Sequence, residues 1–290
     1  MFQKVLICTD FKDGLLRFAN CLESFVQSGI REIVFFHSVP LWTEGDIPRV
    51  DDEKVAAARA RFDTALANVP DGLSVKYEIR SDRPIDSICA VVKENDCELA
   101  ILGSQGRTLL NEKLFGSTST KLTQKLPIPM LVIRPAMVAA FTNEELELRC
   151  RSLFRRLLVA YDASEPSDAL VDTLLARFCQ PGDTAVDRCK LGWVIETTRR
   201  ASVDEKIEQA RETIEAAGQR FADTGLAIET EVRTGDPIAE IVKMASESGV
   251  SAIAVTAHSL PAFLEWSRPS FPKQLLRSSL HPVLFFPPKS

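Results

Sequence analysis

The chain has 290 residues, 45% of them hydrophobic and 26% charged, enough for two ordinary globular domains that close their cores without disulfide or metal. A net charge of −5 argues against general nucleic-acid or anionic-membrane binding. The seven cysteines, odd in number and never spaced C-x-x-C, read as reduced packing residues. No run approaches the ~20 apolar residues of a membrane span. The opening MFQKVLICTD has an apolar stretch too short for a signal peptide, so a cytoplasmic location is expected.

Taken in chain order, short apolar runs alternate with helical periodicity. Residues 5–8, 33–36, 75–79, 99–102 and 130–133 read as strands. Residues 51–69 read as a helix with Val55, Phe62, Leu66 and Val69 on its apolar stripe. A polar segment containing NEELELR, residues 137–153, reads as a helical linker. The succession then returns, with strands expected at 157–161, 191–195, 227–232, 252–255 and 283–286. A helix is expected over 202–224, its stripe formed by Val203, Ile207, Ala210, Ile214 and Phe221. Near-continuous Val/Ile/Leu runs suit strands buried on both faces of a parallel sheet, and the β-α alternation implies a doubly wound α/β fold.

The two halves align with each other. LICTDFKDG matches LVAYDASEP and sets Asp10 opposite Asp162. RPIDSICAVV matches DPIAEIVKMA and sets Pro84 opposite Pro237; PIPMLVIRP matches LHPVLFFPP and sets Pro129 opposite Pro282. An offset of about 153 residues is a domain duplication rather than a short solenoid period. The domains expected are 1–136 and 154–290.

After the fourth strand of the first half comes GSQGRTLLNEKLFGSTSTKLTQKL. Gly103 ends a strand where close backbone approach is useful. Gly116 and Ser117 open an expected helix, whose unpaired N–H groups attract anions, and the hydroxyls of Ser117, Thr118 and Ser119 can donate to phosphate oxygens. Ligands of open α/β sheets bind beyond the carboxyl ends of the strands, where strand order reverses. The segment is neither a Walker A loop nor a G-x-G-x-x-G fingerprint. Read without further context, glycines that merely turn the chain and hydroxyls that merely cap a helix would account for it equally well.

The pattern G-x2-G-x9-G-[ST] before the last helix and strand resembles the nucleotide motif of the universal stress protein family. Thr9-Asp10 at the end of the first strand, FFHSVP at the end of the second and the closing PIPMLVIRP share the resemblance, which extends over nearly the whole chain. It implies two tandem Rossmann-like domains, each a five-stranded parallel sheet in the order 3-2-1-4-5 with helices on both faces. It implies ATP, ADP or AMP in the first domain, with Mg²⁺ or Mn²⁺ accompanying a triphosphate. Carried over residue by residue, Thr9 and Asp10 would lie beside the adenine and ribose, and Ser38 would flank the base. Leu102, Gly103, Gln105 and Gly106 would line the ribose and α-phosphate. Gly116, Ser117, Thr118 and Ser119 would hold the phosphates, with Arg107 as an extra cation. The family pattern departs at SDRP, residues 81–84, where a glycine before the proline is usual; the second half keeps Gly235-Asp236-Pro237.

In the second half the corresponding stretch is AHSLPAFLEWSRPSFPKQLLRSSL. His258 and Ser259 follow the strand, all three motif glycines are gone, and Leu260, Pro261, Phe263 and Trp266 add bulk. Pro269 and Pro272 offer no N–H to a phosphate. Asp162 with His258 and a serine could suggest an acid–base arrangement, but the stretch reads better as a structural domain with a degraded pocket. His37, His281, Trp42 and Trp193 read as structural residues. The expectation is a regulatory nucleotide-binding protein with no dedicated catalytic or metal residues. Its two domains are expected to pair within one chain, and a homodimer, a further protein partner and no nucleic-acid or membrane contact are expected. Slow ATP hydrolysis at the same loop and a nucleotide-independent scaffold are the alternatives.

Overall fold

A computed structural model describes residues 2–43, 48–103, 121–123, 125–178, 186–196, 203–256 and 271–287. The chain divides into two compact units, 2–151 and 152–290. In the first, strands β1 (Lys4–Cys8), β2 (Glu32–Ser38), β3 (Ser74–Arg80), β4 (Leu99–Gly103) and β5 (Met130–Ile133) are all parallel, in the order β3-β2-β1-β4-β5. A 3-10 helix (Leu15–Cys21) leads into α1 (Leu22–Gln27). Then come α2 (Asp52–Ala65), α3 (Pro84–Glu94), α4 (Pro135–Val138) and α5 (Asn143–Arg151).

The second unit repeats the plan. Its strands are β6 (Arg156–Ala160), β7 (Arg188–Ile195), β8 (Ala227–Thr234), β9 (Ala252–Thr256) and β10 (Val283–Phe286), in the order β8-β7-β6-β9-β10 and again parallel. Its helices are α6 (Glu165–Phe178), α7 (Val203–Gln219), α8 (Pro237–Ser248) and α9 (Phe271–Ser278). Both sheets therefore have the expected order 3-2-1-4-5.

Burial differs among the strands. Val5, Leu6, Ile7, Ile101 and Leu131 are fully buried, as are Leu157, Val159 and Ile253. On β3 and β8 the residues are mostly half-buried, so those two runs depart from the two-face burial expected of them. Both carry charged residues between their apolar ones. The helix expected over 51–69 stops at Ala65. Asp51 caps its start by accepting from Lys54 N at 3.1 Å, and only Ala58 and Phe62 are fully buried. Val69, one residue before Pro70, lies past the helix and is 40% exposed. The helix expected over 202–224 is α7 followed by a 3-10 turn at Ala222–Thr224, and Ala210, Ile214 and Phe221 are buried as expected.

The segment 137–153, expected as a polar linker, carries part of α4 and all of α5. Leu146 and Cys150 of α5 are fully buried, and α5 packs on α1 and the preceding 3-10 helix. Arg149 ties the two short helices by donating to the carbonyls of Ala136 (2.6 Å) and Met137 (2.7 Å). No helix among the described residues is long and apolar enough to cross a membrane.

Candidate functional site

Strand order in the first unit reverses between β1 and β4, so the carboxyl ends of these two strands flank the crevice where such sheets bind ligands. Register sets Cys8 beside both Phe36 of β2 and Leu102 of β4. Thr9, Asp10, Ser38, Leu102 and Gly103, five of the residues expected at the site from the sequence, therefore end three adjacent strands at one edge of the sheet. Gln105, Gly106, Arg107, Gly116, Ser117, Thr118 and Ser119 lie outside the described residues.

The turn after β1 is built from its own polar side chains. Thr9 N donates to Phe36 O (2.9 Å), continuing the ladder past the strand. The Thr9 hydroxyl donates to Asp13 Oδ1 (2.9 Å) and accepts from Phe11 N (3.0 Å). Asp10 Oδ1 accepts from the N–H groups of Lys12 and Asp13, both at 2.8 Å, which is local Asx-turn chemistry. Asp13 in turn accepts from Leu15 N (2.9 Å) and Asp10 N (3.3 Å). Burial pushes the Asp13 carboxyl above the ordinary aspartate range, against the lowering effect of these hydrogen bonds.

Gly103 is a glycine for a steric reason. A Cβ placed there would stand 2.7 Å from Asp13 Cβ and 3.0 Å from its Cγ. The end of β4 and the β1 turn thus touch, and no side chain fits between them.

An aromatic group borders the same edge. Phe11 has left-handed backbone (φ 63°), uncommon for a bulky residue. Its ring centroid lies 4.1 Å from that of His37 and 5.1 Å from that of Phe62, with the Arg61 guanidinium 5.0 Å above it. His37 donates from Nδ1 to the Thr9 carbonyl at 2.8 Å, a structural role as expected. Trp42 departs from a packing role: it is partly exposed, and Arg49 lies 3.7 Å over its ring.

One cation at this edge did not stand out in the sequence. Arg134 follows Ile133, and Ile133 is paired with Gly103. Its Nε is buried and makes no hydrogen bond among the described residues, and burial pushes the guanidinium down from its ordinary range. Asp13 and Phe11 were equally inconspicuous. The only sequence signal for Asp13 is its place three residues after Asp10; Arg134 stands within PIPMLVIRP with nothing in the motif to select it.

The second unit keeps the turn and changes the residues. Tyr161 N donates to Gly192 O (2.9 Å) as Thr9 N does to Phe36 O, so a tyrosine stands where the first unit has a threonine. Its hydroxyl donates to Asp168 Oδ1 (2.7 Å) and its ring meets Trp193 edge-on at 5.8 Å. Ala163 repeats the left-handed backbone of Phe11 (φ 56°). Asp162 Oδ1 accepts from the backbone (3.0 Å) and hydroxyl (2.5 Å) of Ser164. Thr256 ends β9 where Gly103 ends β4, opposite Phe286 as Gly103 is opposite Ile133. Pro272 is buried at the start of α9; His258, Ser259, Leu260, Pro261, Phe263, Trp266 and Pro269 lie outside the described residues. His281, just before β10, has a buried Nδ1 without a hydrogen bond among the described residues, and burial lowers its pKa.

Known proteins resemble the chain in both sequence and fold. A family model described as the universal stress protein family matches residues 1–134 and again 153–287. A universal stress protein of Mycobacterium tuberculosis is 31% identical over 117 residues, an alignment covering 38% of this chain and 40% of that protein. The chain thus spans less than half the length of the curated relatives it matches. The solved structure of a universal stress protein from Archaeoglobus fulgidus has a TM-score of 0.66 at 17% identity, covering 99% of this chain and 97% of that one. A chain from Pseudomonas aeruginosa has a TM-score of 0.63 at 14% identity, covering 99% and 94%. At those identities the two structures speak for the fold, while the doubled family match covers nearly every residue: the chain belongs to the universal stress protein family, as a tandem of two of its domains.

Proposed function

We propose that the first unit is a regulatory module that binds an adenine nucleotide at the carboxyl edge of β1 and β4, and that the second unit is structural. The observation that carries this reading is the junction at Gly103. Strand order reverses there, and the end of β4 meets the β1 turn with no room for a side chain between them. Glycine at that point lets the β1 turn close against the end of β4, so that both lie at the crevice. Arg134 supports the reading from the other side of β4. A partly buried guanidinium whose Nε makes no hydrogen bond among the described residues is costly, and a phosphate oxygen is an acceptor that fits it. Thr9, Asp10, Ser38 and Leu102 would face the nucleoside. Gly116, Ser117, Thr118 and Ser119 would hold the phosphates, with Gln105, Gly106 and Arg107 between. The site so assembled fits a nucleoside phosphate; a divalent cation would offset the charge of a triphosphate near the Asp10 and Asp13 carboxylates.

The test is thermal unfolding with ATP and Mg²⁺. At a hundredfold excess over the dissociation constant, binding stabilises by about 2.7 kcal/mol. The wild-type midpoint should rise with ATP, and the Gly116→Val, Ser117→Ala double variant should not respond. A wild-type midpoint indifferent to ATP, ADP and AMP would remove the proposal. Acid extraction of the purified protein, followed by chromatography of the extract, gives the identity of the nucleotide.

A further inference from the structure

Helix α5 has two unlike faces. Leu146 and Cys150, four residues apart, are fully buried, and the helix packs on α1 and the preceding 3-10 helix. On the opposite side Phe141, Glu144, Leu148 and Arg151 follow at i, i+3, i+7 and i+10, the spacing of a single helical face, and all four are exposed. Phe141 is 98% exposed and Leu148 61%. A lone apolar residue on a surface is ordinary, but two on one stripe, one of them a bare phenyl ring, form a patch that gains by being covered. We propose that this face is an interaction surface for a second copy of the chain, the two α5 helices packing antiparallel about a twofold axis.

Phe141 is held in place at its backbone. It precedes Thr142, the residue before the first turn of α5, whose hydroxyl accepts from Glu145 N (3.2 Å). The Glu145 carboxylate in turn accepts from Phe141 N (3.1 Å) and pairs with Arg149. An apolar residue in this position commonly folds back onto the fourth helical residue. That residue is Leu146, which is turned into the core, and at 98% exposure the Phe141 ring does not pack on it. A side chain presented from a fixed backbone loses less entropy on binding than one on a loose segment.

Charge selects the occupant and its direction. The exposed stripe is acidic near its start, at Glu144, and basic at its end, at Arg151. A copy laid alongside in the same direction sets Glu144 against Glu144 and Arg151 against Arg151. Laid antiparallel with the axis near the middle of the helix, Glu144 meets Arg151 of the second copy, and Phe141 reaches Leu148 and the Arg151 stem of the second copy. The same contacts repeat across the axis, as an isologous interface requires. Opposed helix dipoles favour the same direction. Exposed ion pairs are weak, so the charges set direction and register while the apolar pair supplies the attraction. Four side chains per chain are few beside the ~20–30 residues a side of a stable interface, so the dimer is weak and builds up with concentration.

Sedimentation equilibrium of the full-length protein, from about 10 µM to about 1 mM, reads the association. The weight-average mass of wild type should climb from monomer toward dimer. Phe141→Ser combined with Leu148→Ser should associate at least ~10-fold more weakly. Glu144→Arg alone and Arg151→Glu alone should each weaken association. An equimolar mixture of those two should associate again, because one chain then carries two basic positions and the other two acidic ones. At about 1 µM, where the chain is monomeric, the variants should keep the wild-type thermal midpoint. The proposal is overturned if wild type holds the monomer mass to the highest concentration, if the double serine variant dimerises as wild type does, or if the mixture associates no more tightly than its components. Cover over Phe141 from elsewhere in the same chain would appear as the first of these outcomes together with a lower midpoint for the double serine variant. Should a charge reversal unsettle α5, the double serine variant, altered only at exposed positions, decides.

Discussion

At the residue scale, the contact between Gly103 and Asp13 makes two quantities measurable. Three hydrogen bonds from the Thr9 hydroxyl, Leu15 N and Asp10 N fix Asp13, so it cannot swing aside for a new methyl group. Gly103→Ala should therefore cost about 1–3 kcal/mol in urea unfolding, the range for overpacking. In an Asp13→Gly background the offending Cβ is gone and the added cost should vanish; an equal cost in both backgrounds would place the clash elsewhere. The charge on Asp13 has its own signature. Burial raises its folded pKa above the unfolded value of 3.8, so the folded state holds the proton more tightly. Above the raised value the buried charge counts against the fold. As pH falls through that value toward 3.8, the penalty is progressively relieved. Asp13→Asn removes the titration, so its stability relative to wild type should be greatest at neutral pH and decline on acidification. With its oxygen kept toward the Thr9 hydroxyl and Leu15 N, the amide turns its NH2 to Asp10 N and loses that hydrogen bond, which adds only a pH-independent offset. Urea unfolding of both proteins from pH 7 to 4 reads the slope, and parallel curves would show that Asp13 titrates normally.

At the scale of elements, the internal repeat acts as a control experiment. α3 and α8 are equivalent helices, each with proline at its first position. Asp236 caps α8, accepting from Ala239 N at 2.8 Å, whereas Arg83 precedes α3 with no side-chain cap. The backbone at Arg83 (φ −62°, ψ 119°) nearly matches that at Asp236 (φ −73°, ψ 122°), so a capping side chain needs no rearrangement. Arg83→Asp should stabilise the first unit by about 1 kcal/mol, and Asp236→Ala should cost the second about as much. Thermal or urea unfolding checks both, and a destabilised Arg83→Asp would mean that the arginine serves a contact worth more than a cap. The same elements show what sequence could and could not tell. Strands such as β5 and β10 were legible to the residue, because four consecutive buried apolar residues leave no other reading. β3 (SVKYEIR) and β8 (AIETEVRT) instead alternate apolar with charged residues, a pattern that suits the half-burial they show. α5 read as a polar linker because Leu146 and Cys150 are a small minority among the charges of NEELELRCR, and only the partner surface reveals that they are buried. In the candidate site, the strand ends Thr9, Asp10 and Gly103 stood out through motif and spacing. Asp13, Phe11 and Arg134 did not, since their significance lies in which residues they touch.

At the scale of the whole molecule, the proposed nucleotide site is expected in one half of the duplication and not in the other. The second unit retains the fold, the left-handed residue after the equivalent aspartate and the strand register, so its backbone could have kept a site. Its side chains argue otherwise. Tyr161 brings a bulky phenol, held by Asp168, where Thr9 has a smaller side chain held by Asp13. Thr256 puts a β-branched side chain where Gly103 has none, and Pro287 follows β10 where Arg134 follows β5. On the proposed reading, these changes take room and positive charge from the crevice. The chain should therefore bind one adenine nucleotide, as measured by calorimetric titration against protein concentration from amino-acid analysis. The Gly116→Val, Ser117→Ala double variant should bind none. Thr256→Gly alone should still leave one site per chain, because Tyr161 and Pro287 remain. Two nucleotides per wild-type chain, or one surviving in the double variant, would mean that the second unit has kept a pocket its sequence disguises. The structural role assigned to it would then have to be given up.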